Sequence, residues 1–175
     1  YTLDLIDPSR RDHHEAQGVK FYSGWQMCNL TTVNAARCET DHDFLAAVRS
    51  ATILGTHQAR FTHFPYLGSI TERIVARESL LGVSITGILS RDELPLAQAS
   101  KLAVQTNAEY AHRLNIPQAS RVTCVKPEGT ASLVLGTSAG IHPYHAPQYI
   151  RRVQAQPDED CYVRYAEANP SHCVD

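Results

Sequence analysis

Three times along this chain a hydroxyl residue stands three positions ahead of a carboxylate and opens an apolar pattern at helical spacing: Thr40-x-x-Asp43, Ser69-x-x-Glu72 and Ser90-x-x-Glu93. That arrangement satisfies orphan amides reciprocally at a helix start, so each marks a helix N-terminus. The first predicts a helix from Thr40 with Phe44, Val48, Ala51 and Leu54 on one face, and the second a helix carrying Ile70, Ile74 and Val75. The third, with Pro95 in the first turn, predicts the longest helix. Its stripe is Leu96, Ala99, Leu102, Ala103, Thr106, Tyr110 and Leu114, and Asn115 and Pro117 stop it. Between and after these helices lie short β-branched runs, Gly82 to Gly87 and Arg121 to Val125, read as strands; another short strand is expected at Thr2 to Ile6. Helices alternating with short apolar strands define an α/β fold with parallel strands.

Composition narrows the function classes. At 175 residues with 43% hydrophobic and 19% charged, the chain can bury a core. A formal charge of -2, from 16 basic and 18 acidic residues, leaves no broad basic face for a nucleic-acid backbone, so nucleic acid is excluded as the expected partner. Apolar stretches break well before the roughly 18 residues a membrane span needs, and no basic region followed by an apolar run opens the chain. Five scattered cysteines, Cys28, Cys38, Cys124, Cys161 and Cys173, do not make the dense framework of a small secreted domain, and a reducing cytoplasm is the expected compartment. Three regions are expected: a loop-rich entry over 1–24, an α/β segment over 25–153, and a polar tail over 154–175 with little periodicity.

The stretch Lys126-Pro127-Glu128-Gly129-Thr130-Ala131-Ser132 carries the most chemistry. It follows the strand ending at Val125, and its small residues sit where a helix would begin. A helix N-terminus presents unpaired N–H groups and a partial positive charge, so a strand, turn and helix of this composition can hold a phosphate. No Gly-Lys-Ser/Thr follows, so it is not a Walker loop. From the residues alone a second reading stands beside the first: small residues that let a helix pack closely on a sheet. Cys28 likewise reads either as a small buried hydrophobe or as a functional thiol.

A resemblance separates these readings. The segment from Arg121 through Cys124, Lys126, Gly129, Gly136, Gly140 and His142 to Tyr149-Ile150-Arg151-Arg152-Val153 is similar to the corresponding part of adenosylcobalamin-dependent (class II) ribonucleotide reductases. So are three motifs in the same order, Gly24-Trp25-Gln26-Met27-Cys28-Asn29-Leu30, Phe64-Pro65-Tyr66-Leu67-Gly68 and Leu80 to Gly87. The resemblance implies that the chain is part of the C-terminal half of a catalytic α chain whose domain is a ten-stranded α/β barrel. It implies a radical enzyme that makes deoxyribonucleotides for DNA synthesis from ribonucleoside di- or triphosphates, with adenosylcobalamin as cofactor.

On the same resemblance, the substrate phosphates sit on Pro127, Glu128, Gly129, Thr130 and Ala131. Glu128 departs from the more usual Ser, and its carboxylate must point away or be hydrogen-bonded elsewhere if amides are to face an anion. Cys28 matches one of two thiols that reduce the ribose and become a disulfide. Exchanging a 2′-hydroxyl for hydrogen consumes two electrons, which a dithiol supplies and one thiol cannot. The partner thiol of the family, and its Asn-x-Cys-x-Glu motif bearing the thiyl radical, have no counterpart here; Asn169 to Asp175 has the wrong spacing and position. The implied partners are therefore a complementary N-terminal reductase segment, ribonucleotide and a thioredoxin-like reductant. The alternative is a split-gene or remnant subunit that binds nucleotide without catalysing anything alone. His142-x-x-His145 lacks completing ligands and reads as a rigid loop between prolines rather than a metal site, His13-His14 as solvated, and Cys124 as a core residue.

Overall fold

The computed structural model describes residues 24–91 and 93–173. The strand expected at Thr2 to Ile6 and the His13-His14 loop lie outside these residues. The chain divides into two compact units, Tyr1–Tyr144 and His145–Asp175.

Among the described residues the first unit opens with strand β1 (Asn29–Asn34) and helix α1 (Asp41–Gln58). Thr40 caps α1 as its spacing predicts, its side chain accepting from the Asp43 amide while the Asp43 carboxylate accepts from the Thr40 amide. The buried face of α1 carries Phe44, Val48, Ala51, Thr52, Gly55 and Thr56. Two threonines can be buried there because each hydroxyl donates one turn back along the helix, Thr52 to the Val48 carbonyl and Thr56 to that of Thr52. Gly55 lets the helix approach the sheet, since a Cβ there would stand 3.3 Å from Leu81 Cδ2. Leu54, expected on this face, is exposed.

Helix α2 (Gly68–Glu78) starts one residue ahead of the expected cap, and Ser69 makes no capping bond. Glu72 serves elsewhere: its carboxylate accepts from the Phe64 amide at 2.8 Å and pairs with His63 at 2.7 Å, which holds the Phe64 to Gly68 turn. The chain reverses at Ser79 and enters strand β2 (Leu81–Thr86). Helix α3 (Leu96–Leu114) follows, beginning after Pro95 rather than at Ser90, because Pro95 has no amide to give and is itself the flanking residue. It ends where expected, on Asn115 in the left-handed region.

Strands β1 and β2 pair in parallel, Asn29 opposite Leu81 through Asn34 opposite Thr86. On the other side of β2 the segment after α3 makes a parallel bridge, Val83 to Thr123, with the Leu81 and Val83 amides donating to the Arg121 and Val122 carbonyls. The strand expected over Arg121 to Val125 is thus confined to a short bridge, with Val122 buried but Val125 exposed. Two consecutive strand, helix and strand units result, with neighbouring strands in chain order. Sequence reasoning missed β1, whose Asn and Thr content hides its β-branched alternation.

The core lies between the sheet and helices α1 and α3. Val33, Phe44, Val48, Leu81, Val83, Ala99, Ala103 and Val122 belong to it. Alternation along a strand sends every second side chain to the opposite face. Gly82, Ser84 and Thr86 of β2 face away from Leu81, Val83 and Ile85, and the segment 126–140 folds over that second face. The Lys126 amide donates to Ser84 Oγ, Thr86 Oγ1 donates to the Ser138 carbonyl, and Asn34 Nδ2 donates to the Leu135 carbonyl. Gly140 makes this closure possible, because a Cβ there would lie 2.6 Å from the Lys126 carbonyl oxygen.

The second unit contains helix α5 (Asp160–Ala168), numbered after the short helix α4 (Ala131–Leu135). Tyr165 Oη lies 2.9 Å from His172 Nδ1, closing the turn that follows. A helix was not expected in this polar stretch. It contains no buried residue, so the burial pattern on which helix recognition rests is lacking.

Candidate active site

The second face of the sheet gathers the residues singled out from the sequence. Cys28 stands just ahead of β1, and Leu30, Thr32 and Asn34 follow it at alternate positions. Its sulphur lies 2.7 Å from where a Cβ on Gly82 would be, and the sulphur of Cys124 lies 3.1 Å from the same point. A side chain on the central strand would drive both thiols away, so Gly82 leaves the gap across which they meet. Partial burial, first, and then the neighbouring Cys124 push the Cys28 thiol above its ordinary 9.0, while Lys126 pulls the other way. Burial also raises Cys124. Both are therefore protonated thiols at neutral pH. Cys124 is half-buried on this face and belongs to the thiol pair rather than to the core cluster.

The stretch from Pro127 to Ala131 forms an exposed turn with one exception. Glu128 is buried at 7% exposure and adopts φ 54°, a left-handed conformation unusual for a residue with a side chain. That turn directs its carboxylate inward, where Oε1 accepts from Thr32 Oγ1 at 2.6 Å and pairs with Lys126 Nζ at 2.9 Å. Lys126 Nζ also donates to Thr32 Oγ1 at 2.8 Å. The negative side chain is thus removed from the outer surface of the turn, as amides facing an anion require.

Thr130 flanks α4, and Ser132 is held beneath it, its amide bonded to the Glu128 carbonyl and its hydroxyl to that of Gly129. Gly129 faces open space: a Cβ there would touch nothing within 4 Å. Lys126 and Thr32 are the members of this cluster that sequence reasoning missed. Lys126 had a signal, its place at the head of the turn; Thr32 had none, because its partners are about a hundred residues away.

No protein-family model matches the chain. Among curated proteins it is 26% identical over 151 residues to the adenosylcobalamin-dependent ribonucleoside-triphosphate reductase of Euglena gracilis, covering 82% of this chain and 20% of that protein. A Mycobacterium phage D29 protein assigned the same activity is 26% identical over 149 residues, covering 74% of this chain and 22% of its own length. Among solved structures, a B12-dependent (class II) ribonucleotide reductase shares the fold with a TM-score of 0.50 and 21% identity, over 67% of this chain and 21% of that one. In sequence the chain is similar to curated adenosylcobalamin-dependent ribonucleoside-triphosphate reductases, and in fold to a class II ribonucleotide reductase, as its motifs imply. The curated relatives are triphosphate reductases by name, and the chain spans about a fifth of their length.

Proposed function

We propose that this chain is a segment of the catalytic α chain of a class II ribonucleotide reductase, in which the two strand, helix and strand units are part of a ten-stranded α/β barrel. Residues 25–153 form the barrel segment, 1–24 lead into it and 154–175 follow as a polar extension. The segment contributes a phosphate-binding turn, Pro127 to Ala131, and one reducing thiol, Cys28. The observation that carries the reading is that turn and thiol lie over one sheet face, the Lys126 amide at the head of the turn bonded to Ser84 Oγ and the Cys28 sulphur set over Gly82 two residues along the same strand.

In the reaction the ribonucleotide's phosphates rest against the amides around Gly129, Thr130 and Ala131. These are first-turn donors with no intrahelical acceptor, and the Thr130 hydroxyl adds a contact. The ribose then reaches the thiol face. Loss of the 2′-hydroxyl as water takes up two electrons; Cys28 supplies a hydrogen and ends in a disulfide with a second thiol, which a thioredoxin-like reductant reopens. A complementary N-terminal segment supplies the radical thiol and the rest of the barrel, and the whole acts in the cytoplasm. Adenosylcobalamin, as cofactor of the whole protein, supplies the radical that starts the reaction. No residue of this segment is assigned to hold it.

Two variants of the complemented enzyme test the reading. Gly129→Val has room to fold, since nothing lies within 4 Å of the new Cβ, yet it places a branched side chain where the anion approaches. Nucleotide affinity, followed by calorimetry, is expected to fall at least tenfold; unchanged affinity in a normally folded variant overturns the phosphate turn. Cys28→Ser is expected to abolish multiple turnovers while leaving cofactor homolysis intact, and loss of both together would make Cys28 structural.

A further inference from the structure

The Glu128 carboxylate occupies a position that suits a foreign oxyanion. Its Oε1 receives Lys126 Nζ at 2.9 Å and Thr32 Oγ1 at 2.6 Å, and lysine and threonine are themselves joined at 2.8 Å. An ammonium and a hydroxyl converging on one oxygen are the donors a phosphate oxygen takes. The glutamate side chain is 2% exposed and the lysine 20% exposed, so these donors are enclosed rather than scattered on a surface. The backbone bears a strain to bring the carboxylate in, since Glu128 sits at φ 54° where a glycine would rest freely. Beyond it the turn opens at Gly129.

We propose that Lys126 Nζ and Thr32 Oγ1 form an anion subsite for a phosphate or pyrophosphate oxygen, and that Glu128 fills it from within. The carboxylate neutralises the lysine and excludes a second anionic group, so the turn receives phosphate through its amides alone. Glu128 thereby sets how much negative charge the site accepts from a ligand. Removing it leaves a half-buried ammonium without its counter-charge, a state that an incoming oxyanion relieves. The inference rests on the phosphate-turn reading only for the identity of the anion.

The test uses the 175-residue chain and inorganic pyrophosphate, titrated by calorimetry at low ionic strength. Glu128→Gly vacates the subsite and relaxes the backbone, and is expected to tighten pyrophosphate binding at least tenfold over the parent. Adding Lys126→Met to it is expected to abolish the gain. Glu128→Gln, which keeps the size and the fold but removes the charge, is expected to give a smaller gain. Far-UV circular dichroism and melting establish that each variant is folded. Absence of any gain in Glu128→Gln or Glu128→Gly with a parental spectrum overturns the proposal, as does a gain that survives loss of Lys126. If Gly129→Val abolishes nucleotide binding while the Glu128 variants gain nothing, the subsite fails and the phosphate turn stands. If the Glu128 variants gain and Gly129→Val binds nucleotide normally, the subsite stands and the turn fails.

Discussion

Cys28 and Cys124 come from segments on either side of β2, about a hundred residues apart in sequence, and direct their sulphurs to one point above Gly82, 2.7 and 3.1 Å from where its Cβ would be. The central strand bears no side chain there, and Leu30 Cδ2, 2.6 Å from the same point, packs beside the two sulphurs. A short bifunctional thiol reagent such as dibromobimane is expected to bridge them, giving a cross-linked peptide that either Cys28→Ser or Cys124→Ser eliminates. Gly82→Ala is expected to prevent the bridge and to destabilise the fold by about 1–3 kcal/mol, the usual cost of forcing extra volume into a filled site. Efficient cross-linking in Gly82→Ala would show that the glycine does not control the approach.

Asn107 is the second residue whose role emerges only on folding. Buried in α3, it donates from Nδ2 to Thr56 Oγ1 of α1 at 3.1 Å and accepts the Ala119 amide at Oδ1 at 2.9 Å. One side chain thus ties two helices to the loop that leads to the Val122 bridge. Asn107→Ala leaves a buried amide unpaired and is expected to cost about 2 kcal/mol in urea unfolding. Asn107→Asp should cost more, because it buries a charge and removes the donor to Thr56. A loss below 0.5 kcal/mol, roughly the floor for one hydrogen bond, would mean that water replaces both bonds.

Stability is expected to decline at both ends of the pH range. Glu78 is held below its ordinary 4.5 by its hydrogen bond with Ser120, first, and then by Arg77, and Asp43 below 3.8 by Thr40. A depressed carboxylate contributes stability above its unfolded pKa, and that contribution disappears as pH falls through the folded value. Cys28, Cys38 and Cys124 are all raised above 9.0, chiefly by burial. Their contribution is complete below 9.0 and is lost as pH rises through the folded values. Melting temperature is therefore expected to be level near neutrality, to fall below about pH 4.5 and again above about pH 9. Iodoacetamide labelling of Cys28 should keep accelerating past pH 9, whereas a plateau near pH 8 would contradict a raised thiol.

Local features were legible where one short stretch holds all the information. The Thr40 and Asp43 cap, the Asn115 stop, the β2 alternation and the small-residue turn at Gly129 each depend on residues within a few positions of one another, and each stands where its spacing predicts. Ser69 and Ser90 show the limit of such patterns. Both have the spacing of a cap, yet Glu72 finds a better partner in the Phe64 amide and Pro95 moves the helix start beyond Ser90.

By itself the sequence determined the order of the first three helices and of strand β2 between the second and third, the reductase resemblance, and the candidate roles of Cys28 and the turn from Pro127 to Ala131. Spacing and residue chemistry carry those without knowledge of distant contacts. Only the tertiary structure decided that Thr32 and Lys126 enclose the Glu128 carboxylate, and that Cys124 meets Cys28 across Gly82. Parallel strands are joined through intervening helices, so residues that touch on a shared sheet face lie 40 to 100 positions apart, and no local pattern records which of them meet.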